Sequence, residues 1–278
     1  MTNVFPSRAS WGWGDRTRSE GVARFERLEL KYVIDELRAR IILSDILPYC
    51  RPDPHNPPEA GLGYDIFSLY LETPSYSFYR AKMRNEPDRI KLRARTYSTT
   101  SPVHLEVKRK CVEVIEKTRA AVMRRTSHEV LRGFASPIDD TPTQRSYIER
   151  FAYFTMLTGA RPTLLVRYDR EAYVSSVDRY ARVTFDRHVV AQRVDGWDLV
   201  GQESAWTSVA GKWFWDGAIS PVLLELKCET VMPHWMSKLI HRHDLRAQGF
   251  SKYCRGLEAS EGLLRGIDPS PTPRGAFV

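Results

Sequence analysis

The sequence predicts a mainly β, α+β fold, an antiparallel sheet with helices around it or at its end. Three observations carry this expectation. Segments rich in β-branched and aromatic residues dominate, five of them alternate charged with apolar residues, and a few windows of helical spacing lie between them. The first strand falls in 24–32, where Arg27, Glu29 and Lys31 alternate with Leu28, Leu30 and Tyr32. Asp35 then caps a helix through Leu37, Ile41, Ile42 and Leu47 that Pro48 stops. The Pro-rich run 51–58 reads as a loop, and 67–71 as a strand. In 89–97, Arg89, Lys91, Arg93 and Arg95 share one face while Ile90, Leu92, Ala94 and Thr96 share the other. The stretch 104–110 sets Glu106, Lys108 and Lys110 against Leu105 and Val107, and 112–122 is a strand of less clean alternation. A helix over 143–157 carries Tyr147, Ile148, Phe151 and Phe154 at core spacing, with Gly159 just past its end. Strands follow at 162–173, at 180–186 and at 222–228. The second places Arg182, Thr184 and Asp186 opposite Ala181, Val183 and Phe185, and the third sets Glu225 and Lys227 against Leu224 and Leu226. A third helix begins near Pro233, with Trp235, Leu239 and Ile240 on its apolar side.

The chain has 278 residues, with 42 Lys+Arg against 34 Asp+Glu, a net charge of +8 and a pI near 9.3. No repeat or linker divides it, so one domain is expected over 24–258, between a flexible basic N-terminus (1–23) and a flexible tail (259–278) that lack periodicity. No apolar run approaches the ~20 residues of a membrane span, and residues 1–20 lack a signal-peptide core, so a cytoplasmic protein is expected. Cys50, Cys111, Cys228 and Cys254 show no ligand spacing and read as free thiols, ordinary small core residues. His241 and His243 do not share a helix face, so with His234 they are expected at the surface rather than on zinc. The basic balance favours an anionic partner without naming one.

A charged strand face is ordinarily a solvated face. Same-face neighbours on a strand are about 6.8 Å apart, however, and at an effective dielectric of ~20 two like charges there repel by roughly 2–3 kcal/mol. A row such as Arg89, Lys91, Arg93 and Arg95 is therefore costly unless well solvated or neutralised, and a polyanion would neutralise it. If the sheet closes with its apolar side outward under the helices, the charged faces converge on a lumen. Arginine forks and lysine point charges there would hold phosphates, and a few carboxylates could hold a bridging divalent cation.

At these residues the sequence resembles the VTC domain, the polyphosphate polymerase domain of the vacuolar transporter chaperone type, within the triphosphate tunnel (CYTH-like) superfamily. The resemblance covers 24–257 and rests on an ordered series in this sequence. It begins with Arg27-Leu28-Glu29-Leu30-Lys31-Tyr32, Ser68-Leu69-Tyr70-Leu71-Glu72-Thr73, Lys91-Leu92-Arg93-Ala94-Arg95-Thr96-Tyr97 and Leu105-Glu106-Val107-Lys108-Arg109-Lys110. It continues with Arg167-Tyr168-Asp169-Arg170-Glu171-Ala172, Arg182-Val183-Thr184-Phe185-Asp186, Leu224-Glu225-Leu226-Lys227 and Phe250-Ser251-Lys252-Tyr253.

The resemblance implies a closed tunnel of eight antiparallel strands with a C-terminal helix near one mouth. It implies that Lys31, Arg93, Arg95, Lys108, Arg170 and Arg182 grip a triphosphate and growing chain, that Lys252 reaches in from the terminal helix, and that Glu225 holds Mn²⁺ or Mg²⁺. Lys91, Lys117 and Lys227 are further substrate-binding candidates, and Glu29 and Glu106 further carboxylates for the metal. Arg170 lies on the apolar parity of its strand, so its inward aim needs a bulge. Arg27 stands where the wider superfamily often has Glu, which favours the VTC branch over CYTH-type triphosphatases. The expected function is a metal-dependent phosphotransferase that passes the γ-phosphate of ATP to inorganic polyphosphate. Eukaryotic complexes add an SPX domain and transmembrane helices that this sequence lacks, leaving any regulatory or membrane partner open. A tunnel-type triphosphatase, with Glu29 or Glu106 orienting water, and a non-catalytic sensor remain as rival readings. Nucleic-acid binding is disfavoured because Tyr32, Tyr70, Tyr97 and Phe185 do not share the charged parity consistently.

Overall fold

A computed structural model of the chain describes residues 27–54, 56, 63–112, 114–178, 180–209, 221–229 and 231–261. The sequence's reading of the first 23 residues lies outside them. The strands are β1 (Arg27–Ile34), β2 (Cys50–Pro52), β3 (Tyr64–Glu72), β4 (Asp88–Thr96), β5 (Val103–Cys111), β6 (Val114–Val122), β7 (Arg161–Ser175), β8 (Ala181–Arg193), β9 (Thr207–Ser208) and β10 (Val222–Glu229). The helices are α1 (Glu36–Ile46), α2 (Ser77–Met83), α3 (Pro142–Thr158), α4 (His234–Arg242) and α5 (Lys252–Glu261), and 3₁₀ turns cover Arg124–Arg132 and Glu203–Ala205. α5 therefore carries helix three residues past the boundary expected at 258.

All strands pair antiparallel, in the order β1-β10-β8-β7-β3-β4-β5-β6, with β2 on β7 and β9 on β8. The path has the eight long strands expected, but the closed barrel does not follow: among the described residues β1 and β6 do not pair. The outer edge of β1 is instead taken by the segment leading to α5, where the Gln248 amide donates to the Lys31 carbonyl at 2.8 Å and Lys31 Nζ to the Phe250 carbonyl at 3.4 Å. One hydrogen-bonded residue cannot propagate a ladder, so this contact does not extend the sheet, which curls without closing.

Three apolar clusters hold the curl. α1 and α4 cover one stretch of its outer face through Tyr32, Ile42, Ile46, Phe185, Leu224 and Met236. α3 and the first 3₁₀ turn cover another through Leu69, Leu92, Leu105, Phe151 and Val130. α5 packs on the inner face through Ile66, Leu164, Val166, Tyr253 and Leu257. A Cβ on Gly256 would lie 3.0 Å from Ala191 Cβ and 3.1 Å from Leu164 Cδ2, so this glycine sets how closely α5 approaches the sheet.

The predicted ends of α1 and α3 hold. The Asp35 side chain accepts from the Arg38 amide at 2.7 Å, Thr141 caps α3 with Pro142 in its first turn, and Gly159 ends it at φ 62°. The apolar face expected for α1 is corrected. Ala39, Ile42 and Ile46 are buried at i, i+3 and i+7, while Leu37, Ile41 and Leu47 are exposed. Three cysteines are buried as expected, whereas Cys111 is exposed. His243 is also a correction, since it lies largely buried with Nε2 2.7 Å from Asp45 Oδ2. No helix among the described residues is long and apolar enough to cross a membrane.

Candidate active site

The inner face of the curl bounds a cavity of about 680 Å³. Alternation along β4 and β5 puts Arg89, Lys91, Arg93 and Arg95, with Glu106, Lys108 and Lys110, on its wall. β1 adds Glu29 and Lys31, β10 adds Glu225 and Lys227, β6 adds Lys117, β7 adds Arg170, and Lys82 and Lys252 enter from α2 and α5. Twelve cations thus face three carboxylates, a net of nine positive charges. That exceeds the net +8 of the whole chain, so the rest of the sequence is close to neutral and the basic pI belongs to this cavity.

Some of these charges compensate one another. Lys31 Nζ lies 3.0 Å from Glu29 Oε1 and 3.7 Å from Glu225 Oε1. Lys227 Nζ lies 3.3 Å from Glu225 Oε2, and Arg170 Nη2 3.7 Å from the same oxygen. Arg93 is bonded to the buried Glu106. Burial alone would raise the Glu106 carboxyl, but the charges of Arg93, Arg95 and Lys117 bring it down to about 2. Glu29 behaves alike: burial works upward, and the charges of Lys31 and Lys227 beside it hold it far below the usual carboxylate range.

Four other cations are not matched. Lys91, Arg95, Lys108 and Lys117 have no carboxylate within ion-pairing distance among the described residues; Lys91 instead lies 5.7 Å from the Tyr70 ring centroid and 5.9 Å from that of Tyr253. Burial pulls Lys91 down to about 8, and it lowers Lys108 and Lys117 as well. Tyr70 is pulled to about 8 because Arg93, Lys91 and Arg95 outweigh its burial. Lysines under such pressure, gathered on one concave surface, make a site for a polyanion.

Twelve of the thirteen candidate residues read from the sequence line this cavity: Lys31, Arg93, Arg95, Lys108, Arg170, Lys252, Lys91, Lys117, Lys227, Glu225, Glu29 and Glu106. Arg182 is the exception. Its side chain, half exposed, turns to Asp53 Oδ2 at 3.2 Å, where a buried carboxylate needs a cation. Arg170 does reach inward, and the reason is not the one expected. The apolar parity of β7 is itself the inner face, because α5 covers Leu164 and Val166 there, and Arg170 continues that row beyond Tyr168. The residue that sequence reasoning missed is Asp186, fully buried on β8. Arg170 grips it with two bonds of 2.6 and 2.8 Å, and Lys252 contacts the same carboxylate from α5 while lying 4.5 Å from the Tyr168 ring centroid. Burial opposes its ionisation, but Arg170 and Lys252 keep its carboxyl low. Its place on the charged parity was the available signal. Tyr70 also faces the cations, against expectation, whereas Lys82 sits on a seven-residue helix with no periodic signature.

The donor set fits a hard divalent cation. Lys31 and Lys227 each stand within 3.9 Å of both Glu29 and Glu225, which places the two carboxylates around the same pair of ammonium groups. Glu106 Oε1 is buried with no hydrogen-bond partner, Arg119 Nε standing 3.8 Å away. No three Asp, Glu, His or Cys side chains among the described residues converge tightly enough to hold an ion alone. Phosphate oxygens and water would complete the shell, the habit of Mg²⁺ and Mn²⁺.

Among curated proteins none matches the chain. Solved structures match at low identity: a Bacillus halodurans protein proposed to be an adenylate cyclase (9% identity, TM-score 0.47, 81% of this chain and 93% of that one). A Pyrococcus horikoshii protein matches at 12% identity and TM-score 0.41, over 83% and 96% of the two chains. The Hippeastrum protein HpAC1, described as having a dominant triphosphatase activity, matches at 13% identity and TM-score 0.44, over 84% and 97%. The sequence model of one family spans residues 26–260, which takes in every strand and all fifteen charged side chains that line the cavity, and on that match the chain belongs to the VTC domain family.

Proposed function

We propose that the protein is a polyphosphate polymerase that transfers the γ-phosphate of ATP to inorganic polyphosphate inside the basic cavity. The observation that carries this reading is the charge balance of the wall. A nucleoside triphosphate neutralises about four of the nine surplus charges, leaving enough for a second phosphate anion beside it. An oxygen of that acceptor attacks the γ-phosphorus, the bond from γ-phosphorus to the bridging β-oxygen breaks, and ADP leaves with the electron pair. Lys91, Arg93, Arg95 and Lys108 hold donor and acceptor in line and neutralise charge on the transferred group. Glu225 and Glu29 would hold Mn²⁺ or Mg²⁺, which supplies charge neutralisation on the bridged phosphate oxygens when bound.

One feature favours a phosphate acceptor over water. Glu29 and Glu106, the two carboxylates placed to activate water, are both held low by their cations and so are weak bases. A phosphate oxygen is already anionic and needs no base. In the same reading the protein works in the cytoplasm, where ATP is available. The experiment is incubation with ATP and Mn²⁺, comparing polymer on a polyphosphate gel with phosphate released from tripolyphosphate. A ladder of long polymer supports the polymerase; phosphate release without polymer replaces it by a triphosphatase, and tight binding without turnover by a sensor.

A further inference from the structure

We propose that Glu72 is a positioning residue that holds the Tyr253 hydroxyl, fixes the first turn of α5, and so keeps the Lys252 ammonium inside the cavity. The inference rests on the reading of the cavity as a phosphoryl-transfer site. Glu72 ends β3 just past a register shift and is 1% exposed. One carboxylate oxygen accepts from the Thr73 and Phe78 amides at 2.7 and 3.0 Å; the other accepts from the Tyr79 amide at 2.8 Å and from the Tyr253 hydroxyl. A buried carboxylate is tolerated when its lone pairs are filled, and here they are filled by α2 on one side and α5 on the other. The charge thus ties the two helices together. Tyr79 adds a second strap, its hydroxyl donating to Glu258 Oε1 at 3.1 Å.

The strap bears on the site through neighbouring residues of one helical turn. The Tyr253 ring packs 5.1 Å from that of Tyr70 on the cavity wall, which with the bond to Glu72 fixes the rotation of α5 about its axis. Lys252 precedes it, and successive helix positions differ by about 100°, so the same rotation aims Lys252 at Asp186 and over Tyr168. A flexible lysine stem can exchange Asp186 for a phosphate oxygen only if its backbone stays in place. The bond between the Tyr253 hydroxyl and Glu72, which stands outside the cavity lining, keeps it there.

The test compares wild type with Tyr253→Phe, which keeps the ring and deletes the hydroxyl. Amide exchange across α5 is expected to quicken roughly tenfold or more as the helix loosens. With ATP, kcat is expected to fall roughly tenfold while KM stays within about twofold, since the wall cations are untouched. In a Lys252→Ala background the same Tyr253→Phe change is expected to cost nothing more, because its effect passes through Lys252. Unchanged exchange overturns the strap. Faster exchange with wild-type kcat, a parallel loss in KM, or an equal loss in the Lys252→Ala background overturns the positioning role. A wild-type protein that turns over neither ATP nor tripolyphosphate overturns the reading of the site, and the exchange comparison still decides the strap.

Discussion

Triphosphate binding is expected to weaken as pH rises above 8, and to do so through two named side chains. In the ligand-free cavity Lys91 loses its proton near 8 rather than 10.5, because burial disfavours its charge and Arg93 and Lys31 stand nearby. Tyr70 becomes a phenolate in the same range, because Arg93, Lys91 and Arg95 stabilise it. A bound triphosphate reverses both preferences, since its negative charge favours protonated lysine and neutral phenol. Binding at pH 9 therefore takes up between one and two protons, and affinity falls by about tenfold per pH unit for each, ~1.4 kcal/mol apiece. The two groups touch the same field, so the measured midpoints belong to the pair.

The assay is calorimetric titration with ATP from pH 7 to 9.5, in buffers of different ionisation enthalpy, so that proton uptake is read directly. The terminal phosphate of free ATP is ionised throughout that range, which leaves the protein as the source of the slope. Lys91→Arg keeps its charge at every pH and is expected to remove one share of the uptake; Tyr70→Phe is expected to remove the other. A flat affinity from pH 7 to 9.5, or an unchanged slope in the double variant, refutes the assignment. The sign for stability follows from the same numbers. The unfolded chain keeps the Lys91 proton up to about 10.5 and the folded protein releases it near 8, so the ligand-free protein gains stability between those values.

The other perturbations separate stability from binding. Arg93→Ala leaves the buried Glu106 without its cation and is expected to destabilise by roughly 3–5 kcal/mol, a clear drop in Tm. Arg95→Ala breaks no ion pair, so it is expected to keep the wild-type Tm while losing activity at least about a hundredfold; full activity in both variants would remove the cavity from consideration as the site. Asp186→Asn withdraws the charge that Arg170 and Lys252 share, leaving two cations in contact with a neutral amide. Denaturant titration is expected to show a loss of about 3 kcal/mol that millimolar tripolyphosphate partly restores.

Much of this architecture was legible because the charged residues obey period 2. Over 89–95 and 105–108 of β4 and β5 one face is apolar and the other charged, with Asp88 and Arg109 pairing at the end of the apolar face, so the strands, their register parity and the cavity-facing residues follow from the pattern. β7 was harder for a physical reason. Its inner row is apolar where α5 covers it, while its outer row carries Arg167 and Asp169, paired with Glu203 and His188, so the polarity points the wrong way and Arg170 stood on an apolar row. α1 failed differently: its buried stripe is Ala39, Ile42 and Ile46, and the larger exposed Leu37 and Ile41 masked it. α2 is stabilised from outside, since its N-terminal amides are capped by Glu72 on β3 rather than by a residue of its own first turn, and such a helix leaves no local signal. Whether the two edge strands meet was out of reach, because that depends on long-range pairing of β1 with β6 that no local pattern encodes, and among the described residues the two do not pair.

These features have a common cause in where the apolar surface goes. A sheet that reserves its inner face for cations must find its hydrophobic burial elsewhere, and here two of the three clusters lie outside the curl beneath α1, α4 and α3. The inner face contributes only where α5 covers it, and there the side chains change from Leu164 and Val166 to Tyr168 and then Arg170 within one row of β7. That row is the boundary between core and site. Uncompensated cations such as Lys91 and Lys108 lower the stability of the empty protein, and the outer clusters offset it. An anion entering the cavity removes the repulsion at no conformational cost to the wall. The tendency of this sheet to bind phosphate and its need for helices on the outside are thus one property, set by giving alternate positions of the same strands to charge and to core.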